Sequence, residues 1–418
     1  MNTVIENLAH AARGAARILA ASDGEVRNRA LFAIAAEIDS AAAAILAANA
    51  RDLAAASVAG QSAALRDRLQ LNPQRLADLA GSVRAVAALA DPLGGIDWQS
   101  PRADGLRIGR MRVPLGVIAM IYEARPNVTV DAAVLCLKSG NASILRGGSE
   151  AIHSNRALAD AIGRGLLAAG LPAAAVTLMP GTDRADMLDL LQLDHLVDLV
   201  IPRGGEGLIR FVAEHSRIPV IRHYKGVCHL YVDRDADIDL ALRLLIDGKT
   251  SRPAVCNALE TLLVDAPIAE RFLPLVAAEL GTRQVEIRAC ERARKILPAL
   301  AAASAADWDA EYLDRIIALK IVDGLAPAMA HIAAHGSLHT EVIATANAAT
   351  AQCFLREVDA SAVLWNASSR FNDGGELGLG AEIGISTSKL HAYGPMGLES
   401  LTTRKWILHG SGQIRHPL

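Results

Sequence analysis

The chain has 418 residues, a length that predicts about two to three domains and excludes a peptide hormone or a small disulfide scaffold. Hydrophobic residues make up 52% of it and charged residues 21%, which excludes an intrinsically disordered protein. The formal net charge is only −3 and neither sign is concentrated in one segment, so binding to nucleic acid or to an anionic membrane is not expected. A small-molecule ligand is favoured.

No targeting segment, membrane span or disulfide pattern is expected from the sequence. Charged residues interrupt Met1 to Ser22, unlike the apolar segment of a signal peptide, and prolines break the longest uncharged stretch, Gly165 to Thr182. The five cysteines are an odd number without a CxxC pair, which argues against disulfides and structural zinc. We therefore expect a cytoplasmic protein.

The first predicted elements are helices and a hairpin. From Glu25 to about Ala90 apolar residues recur at helical spacing, which predicts several packed helices. Leu106 to Val113 then alternates apolar residues with Arg or Gly after a Pro- and Gly-rich stretch, which predicts a β-hairpin.

Apolar runs and helical segments alternate after the hairpin, which predicts a parallel sheet with helices on both faces. The predicted strands are Val117–Tyr122, Ala142–Leu145, Val176–Met179, Leu196–Ile201 and Pro219–Ile221. A second alternation begins at Val227 and predicts another α/β domain, with the boundary near Lys225.

Three of these strands end in turns that are suited to ligand binding. The turns begin at Tyr122 (YEARPN), Arg146 (RGGS) and Arg203 (RGG). Open α/β sheets bind ligands at the carboxyl ends of their strands, where backbone amides and a guanidinium can hold phosphate or ribose. Asn127, which ends the first turn, is either the N-cap of the following helix or an amide donor to an oxyanion.

Cys256 is the cysteine with the most suggestive neighbours. A buried structural thiol is the ordinary interpretation of a single cysteine. Lys249 and Arg252 precede it, and cationic surroundings lower the pKa of a thiol and favour a nucleophilic thiolate.

Three other patterns lack the context that their chemistry requires. The sequence DGKT at Asp247 follows a helix and not a strand, so it does not predict a phosphate-binding loop, and no strand precedes the glycines at Gly378. Spacing by four could place three histidines on one helix, but a glycine interrupts the run and no carboxylate completes a ligand set. These histidines are His331, His335 and His339. No metal site is predicted.

Five segments carry a resemblance to a known family. They read VPLGVIAMIYEARPNVTVDAAVLCLKSGNASILRGG from Val113, IPRGGEGL from Ile201, GVCHLYVD from Gly226, RPAVCNALETLLV from Arg252 and GLGAEIGISTSKLHAYGPMGLESLTT from Gly378. Together they resemble the aldehyde dehydrogenase superfamily and, within it, the gamma-glutamyl phosphate reductase family. The resemblance covers nearly the whole chain.

The resemblance implies NADPH-dependent reduction of L-glutamyl 5-phosphate to L-glutamate 5-semialdehyde, with release of phosphate, in proline biosynthesis. Cys256 matches the family's nucleophile, which forms a thioester, and Asn127 matches its oxyanion donor. The resemblance places the cofactor on Arg146, Gly147, Gly148, Ser149, Gly204, Gly205 and Glu311. Arg146 replaces a lysine of the superfamily and suits a 2′-phosphate, which favours NADP over NAD.

Substrate recognition and the fate of the thioester follow from the same resemblance. Arg125, Arg252 and Arg370 lie in or near the matched segments and are expected to contact the anionic groups of the substrate. His223 takes the place of the glutamate that activates water in hydrolytic members, so a thioester that exchanges with phosphate is expected.

The implied architecture is α/β, with a Rossmann-like cofactor domain, an α/β catalytic domain and a small oligomerisation arm. We predict an NADP-binding domain at residues 1–97 and 114–225, a catalytic domain at 226–393, and an arm formed by the hairpin 98–113 and the tail 394–418. A homodimer or homotetramer and a functional association with glutamate 5-kinase are expected. The alternatives are a CoA-acylating or other acyl-transferring aldehyde dehydrogenase and a catalytically silent NADP-binding protein.

Overall fold

The computed structural model describes residues 2–416. Met1 of the predicted cofactor domain and residues 417 and 418 of the predicted tail lie outside the described residues. The helices are α1 Thr3–Ala21, α2 Gly24–Ser40, α3 Ala42–Val58, α4 Ala63–Leu69, α5 Pro73–Ala88, α6 Asn127–Lys138, α7 Ile152–Ala168, α8 Arg184–Leu191, α9 Glu206–His215, α10 Ile238–Thr250, α11 Ala266–Thr282, α12 Glu291–Ile296, α13 Leu325–His335 and α14 Ala348–Glu357. The strands are β1 Ile96–Trp98, β2 Arg107–Pro114, β3 Val117–Tyr122, β4 Ala142–Gly147, β5 Val176–Leu178, β6 Leu199–Arg203, β7 Cys228–Val232, β8 Leu259–Asp265, β9 Glu286–Ala289, β10 Ala301–Ala302, β11 Ile316–Val322, β12 Thr340–Ala344, β13 Ala362–Trp365, β14 Gly384–Ser386, β15 Gly394–Met396 and β16 Thr402–His409.

The chain forms two compact units. The first extends to Arg222 and also includes Leu379–Gly384 and the residues from Met396 onward, whereas the second consists of His223–Gly378 and Ile385–Pro395. The assignment of cofactor binding to the first and of catalysis to the second stays a prediction.

The first unit contains the helical region and a parallel sheet, as the sequence predicts. Its strands lie in the order β5-β4-β3-β6 and every neighbouring pair is parallel. All residues of β3 and β4 are buried, which is typical of a parallel strand covered by helices. The strand predicted at Pro219–Ile221 is wrong, because the segment forms only an isolated bridge between Val220 and Val200, in which the Val200 amide donates to the Pro219 carbonyl and the Ile221 amide donates to the Val200 carbonyl.

The first unit also carries an antiparallel sheet made from the hairpin and the tail. β1 pairs with β2, and β16 pairs with the other side of β2 over eight residues, from Thr402 opposite Pro114 to His409 opposite Arg107. The sequence predicted the hairpin, whereas its pairing with the tail brings together residues far apart in the chain.

The second unit is built on a parallel sheet in the order β10-β9-β11-β8-β7-β12-β13. Its apolar core includes Leu230 of β7, Leu262 of β8 and Leu319 of β11, with Phe272 and Val276 of α11 packed against them. The turn between α10 and β8 carries Cys256.

No single helix within residues 2–416 is long and apolar enough to cross a membrane, although α2 and α3, bent by 67° to each other, satisfy the length and composition test as a pair.

Candidate active site

The predicted ligand-binding turns of the first unit lie at one edge of its sheet. Tyr122 at the end of β3 is level with Gly147 on one side and with Arg203 on the other. The parallel sheet therefore brings together the three turns predicted to begin at Tyr122, Arg146 and Arg203, as expected for the carboxyl ends of neighbouring strands.

Two glutamates join these turns to one another. Glu123 Oε2 accepts the Gly205 amide at 3.1 Å, and Glu150 accepts the Ala124 amide. Ala124 has a φ of 48°, a left-handed conformation that this hydrogen bond helps to hold. A Cβ at Gly204 would lie 2.8 Å from Cδ2 of Leu208, so a larger residue there would require this side chain to move aside.

Arg146 is buried at the end of β4. Its Nη2 donates to the Thr182 carbonyl at 2.5 Å, whereas its Nε has no hydrogen-bond partner in the part of the chain that the structure describes. Burial lowers the pKa of Arg146, while the charges of Glu150 and Glu123 raise it. The guanidinium stays protonated and keeps a donor available for an acceptor such as a phosphate or ribose oxygen.

Asn127 is the first residue of α6 and Pro126 occupies the N-cap position. The capping interpretation is therefore wrong: Asn127 lies inside the helix and does not cap it. Its Nδ2 donates to Asp131 Oδ2 at 2.8 Å, one helical turn further along. Arg125 is exposed on the preceding turn, two residues away.

Cys256 is partly buried, and its backbone is packed against two other residues of the second unit. A Cβ at Gly226 would lie 2.7 Å from the Cα of Cys256, closer than real Cβ atoms approach, so only glycine fits there. The thiol of Cys228 donates to the Cys256 carbonyl at 3.2 Å. These contacts of Gly226 and Cys228 fix the backbone of the turn that carries Cys256, and they do not involve the Cys256 side chain.

A second set of contacts holds the residues that follow Cys256. Asn257 Nδ2 donates to the carbonyl oxygens of Asn372, at 3.1 Å, and of Arg370, at 3.5 Å. Arg370 is partly buried, and its Nη1 is buried without a hydrogen-bond partner among the described residues. Arg252 is exposed on the same turn as Cys256. The second unit therefore places Arg370 and Arg252 on segments next to the cysteine.

Lys249 does not act as the unbalanced cation that the sequence suggested. Its Nζ is fully buried and lies 2.6 Å from Oε2 of the equally buried Glu260. Burial raises the pKa of Glu260 to about 7 and lowers that of Lys249, while each charge favours the ionised form of the other. Glu260 balances the charge of Lys249. Lys249 therefore does not support the expectation that the pKa of the Cys256 thiol is low.

Glu311 is held close to the same backbone. Its Oε1 accepts the Gly226 amide at 2.8 Å, and the Leu313 amide donates to Glu260 Oε1 at 3.3 Å. Glu311 and Cys256 are thus connected through Gly226, which contacts both.

The three histidines do not lie on one helix, and the DGKT sequence does not form a loop after a strand. His331 and His335 lie on α13, which ends before Gly336, and His339 lies beyond it, next to β12. Among the described residues no group of three or more His, Cys, Asp or Glu side chains is arranged to hold a metal ion. Residues 247–250 are the last turn of α10. The ring of His223 lies 6.1 Å from that of His339.

Sequence reasoning missed Asp131, Gly226 and Asn257. Asp131 is four residues after Asn127, the spacing at which side chains meet on a helix, so this contact was open to prediction once α6 was assigned. Nothing local indicates that Gly226 contacts Cys256, because the two are brought together only by the pairing of β7 with β8.

The sequence and the fold of this chain are similar to those of known proteins. Residues 2–321 match the aldehyde dehydrogenase family. The gamma-glutamyl phosphate reductase of Xanthomonas axonopodis pv. citri is 58% identical over 412 residues, 99% of this chain and 100% of that protein. The protein of the same name from Salinibacter ruber is 57% identical over 414 residues, 99% of this chain and 95% of its own. A crystal structure of the Thermotoga maritima gamma-glutamyl phosphate reductase superimposes with a TM-score of 0.97 at 44% identity, covering 99% of this chain and 100% of that one.

Proposed function

The chain belongs to the aldehyde dehydrogenase family, and from this premise we propose that it is an NADPH-dependent reductase that converts L-glutamyl 5-phosphate into L-glutamate 5-semialdehyde and phosphate, the second step of proline biosynthesis from glutamate. The observation that carries the proposal is the partly buried Cys256, which occupies the position of the matched nucleophile on a turn that Gly226 and Cys228 hold in place. A nucleophile needs such a fixed backbone to meet the acyl carbon repeatedly in one geometry.

The Cys256 side chain forms and breaks the covalent bond to the substrate. Its thiolate attacks the acyl carbon, phosphate leaves with the electron pair of the broken C–O bond, and a thioester forms. The nicotinamide, when bound, supplies the hydride that reduces this thioester to a hemithioacetal. Collapse of the hemithioacetal releases the aldehyde and returns the cysteine. One proton is consumed with each NADPH.

Asn127 stabilises the negative charge that develops on the acyl oxygen, together with the Cys256 amide. Each such donor contributes about 2.7 to 4 kcal/mol to transition-state stabilisation. Asn127 is the first residue of α6, so the partial positive charge at the N-terminus of this helix adds to the stabilisation that the Asn127 amide gives to an anion.

The first unit fits an anionic cofactor. Arg146, Gly147, Gly148 and Ser149 would hold the adenosine ribose and its 2′-phosphate. The Nε of Arg146, which has no hydrogen-bond partner within residues 2–416, supports this role and a preference for NADP over NAD. Gly204 and Gly205 would face the pyrophosphate. Because Glu123 accepts the Gly205 amide, it must turn away before this amide contacts phosphate. Glu311 would bind the nicotinamide ribose.

Arginines would bind the anionic groups of the substrate. Arg370 has the strongest support, because its buried Nη1 lacks an acceptor within residues 2–416 and it follows the segment that Asn257 holds beside Cys256. Arg125 and Arg252 are exposed on the turns that carry Asn127 and Cys256, where they could reach an anionic ligand.

The cellular setting follows from the same chemistry. A catalytic thiol must stay reduced, which suits the cytoplasm. The acyl phosphate is supplied by a glutamate 5-kinase, so a functional association with that kinase is proposed. We also propose a homodimer or homotetramer assembled through the sheet of β1, β2 and β16.

The test runs the reaction backwards. Glutamate semialdehyde, in equilibrium with its cyclic pyrroline form, is mixed with NADP or NAD, with and without phosphate, and NADPH or NADH absorbance is followed. We expect phosphate-dependent activity that is greater with NADP and falls at least about 10⁴-fold in Cys256→Ala. Cys353→Ala is the matched control, because Cys353 lies on α14 beside Glu357, outside the proposed site, and its loss should leave the rate unchanged.

Each alternative predicts a different result. Equal rates without phosphate would mean that the thioester is hydrolysed and would contradict the interpretation of His223. Dependence on CoA would identify a CoA-acylating enzyme. Cofactor binding without turnover in the folded wild-type protein would identify a silent NADP-binding protein.

A further inference from the structure

Asp131 is a carboxylate that the proposed reaction does not use and that touches its proposed oxyanion donor. It lies on the second turn of α6 and is partly buried. Burial raises the pKa of Asp131 to about 6, while the hydrogen bond from Asn127 and the charge of Arg203, at the end of β6, lower it. At neutral pH the group is therefore mostly a carboxylate, which accepts hydrogen bonds and donates none.

This property matters because an asparagine amide has two ends that are nearly identical in shape. Rotation by 180° exchanges its oxygen with its nitrogen, and only the nitrogen can donate to an oxyanion. A carboxylate 2.8 Å from Nδ2 accepts from the nitrogen end and repels the oxygen end. One Nδ2 hydrogen is committed to Asp131, and the amide geometry directs the other away from it.

We propose that Asp131 is a positioning residue: it holds the Asn127 amide in the one orientation that lets Asn127 donate a hydrogen bond to the oxygen of the reacting acyl group. The inference rests on the proposed function, since it assigns Asp131 a role only through Asn127. Arg203 supports the anionic state of Asp131 from the neighbouring strand.

The two residues can be tested with a double-mutant cycle. The variants are Asn127→Ala, Asp131→Ala and the double substitution, measured in the phosphate-dependent assay with the wild-type protein alongside. We expect Asn127→Ala to lower kcat by about 10²–10³-fold. Asp131→Ala should lower kcat at least about tenfold while changing the KM for the aldehyde less than about threefold, because it misorients a transition-state donor without removing a binding group. In the Asn127→Ala background, Asp131→Ala should cause no further loss.

Asp131→Asn provides the rescue. Its amide oxygen can still accept from Asn127 Nδ2, so we expect kcat between those of Asp131→Ala and the wild type. Because this variant keeps the size and shape of the side chain, it also serves if Asp131→Ala does not fold.

Asp52→Asn is the matched control. Asp52 is a buried carboxylate of the first unit that also accepts hydrogen bonds, and its Oδ2 accepts from the amide and hydroxyl of Ser154 at 2.8 and 2.6 Å. Its substitution should lower stability, and any effect on kcat should multiply with that of Asn127→Ala.

The outcomes separate this inference from the proposed function. A folded wild-type protein without phosphate-dependent turnover would contradict the proposed function itself. If the wild type is active, an unchanged kcat in Asp131→Ala, or the same loss from it in the wild-type and Asn127→Ala backgrounds, would overturn the role of Asp131. A loss confined to KM would also overturn it.

Discussion

Gly226 shows how a residue without a side chain can determine the position of the neighbouring reactive residue, Cys256. It contacts the backbone of Cys256, and its amide donates to Glu311 Oε1 at 2.8 Å. A side chain at this position would push against backbone atoms, which cannot rotate aside as the end of a flexible side chain can. The proposed nucleophile and the proposed ribose ligand thus depend on the same glycine.

Gly226→Ala should therefore displace the Cys256 turn. We expect the rate of the phosphate-dependent reaction to fall about 10²-fold, because a displacement of about 1 Å costs this much in catalysis, and the free energy of unfolding to fall by about 1–3 kcal/mol. Gly281→Ala, in α11, is the control. A Cβ at Gly281 would have no described atom within 4 Å apart from the adjoining backbone of its own helix, so we expect unchanged activity and slightly higher stability. Steady-state kinetics and urea unfolding of both variants check this, and a Gly226→Ala enzyme as active as the wild type would contradict it.

At the scale of elements, α13 and the segment that follows it bury two histidines in the second unit. His331 of α13 is buried and accepts from Lys320 Nζ at 3.0 Å, its ring meets that of Trp308 edge to face at 5.5 Å, and His339 is buried beyond the end of the helix. Burial, together with the weaker effect of neighbouring positive charges such as that of Lys320 beside His331, lowers the pKa of both histidines to about 3. Both rings are therefore neutral in the folded protein at physiological pH.

These histidines should make the second unit sensitive to acid. Their pKa values are below the ordinary 6.5, so unfolding takes up protons below about pH 6.5, and the stability present above that pH is lost as the pH falls toward 3. Each histidine contributes a slope of at most about 1.4 kcal/mol per pH unit. Urea unfolding followed by tryptophan fluorescence at pH 7.5, 6.5 and 5.5 measures this. His331→Gln should have a lower free energy of unfolding than the wild type at pH 7.5 but should lose less of it as the pH falls. An equal pH dependence of the free energy of unfolding in the variant and the wild type would contradict the prediction.

At the scale of the whole molecule, the sheet of β1, β2 and β16 exposes apolar side chains. Trp406 and Leu408 of β16 are 55% and 56% exposed, and their spacing by two residues places them on the same face. Within the described residues β16 pairs with β2 alone, so its other edge has backbone groups available for a further strand. Such a surface is typical of an interface between subunits.

Trp406→Glu combined with Leu408→Glu should weaken assembly. We expect light scattering after gel filtration to show a multiple of the 43.9 kDa chain mass for the wild type and the single-chain mass for the variant, because charges on this face oppose burial. Leu275→Glu, at a 42% exposed position of α11 in the second unit, controls for the loss of an apolar surface residue and should keep the wild-type mass. An unchanged mass in the double variant would exclude this sheet as the interface.

Local patterns in the sequence determined much of the architecture. Runs of apolar residues as long as β3 and β4 are buried in a parallel sheet wherever helices can cover them, so their alternation with helices was enough to predict the sheet and its glycine turns. The resemblance of the segments around Cys256 and Asn127 was enough to predict them as the nucleophile and the oxyanion donor, and these roles stay predictions. These are properties of neighbouring residues, which the order of the chain records directly.

Contacts between distant residues were decided by the tertiary structure alone. Lys249 looked like a cation next to Cys256 until folding placed it 2.6 Å from Glu260 and buried both. Gly226 looked like an ordinary glycine until the pairing of β7 with β8 brought it against the Cys256 backbone. Whether a charge is balanced or a Cβ has space depends on which atoms surround it in three dimensions, and only the packed chain determines that.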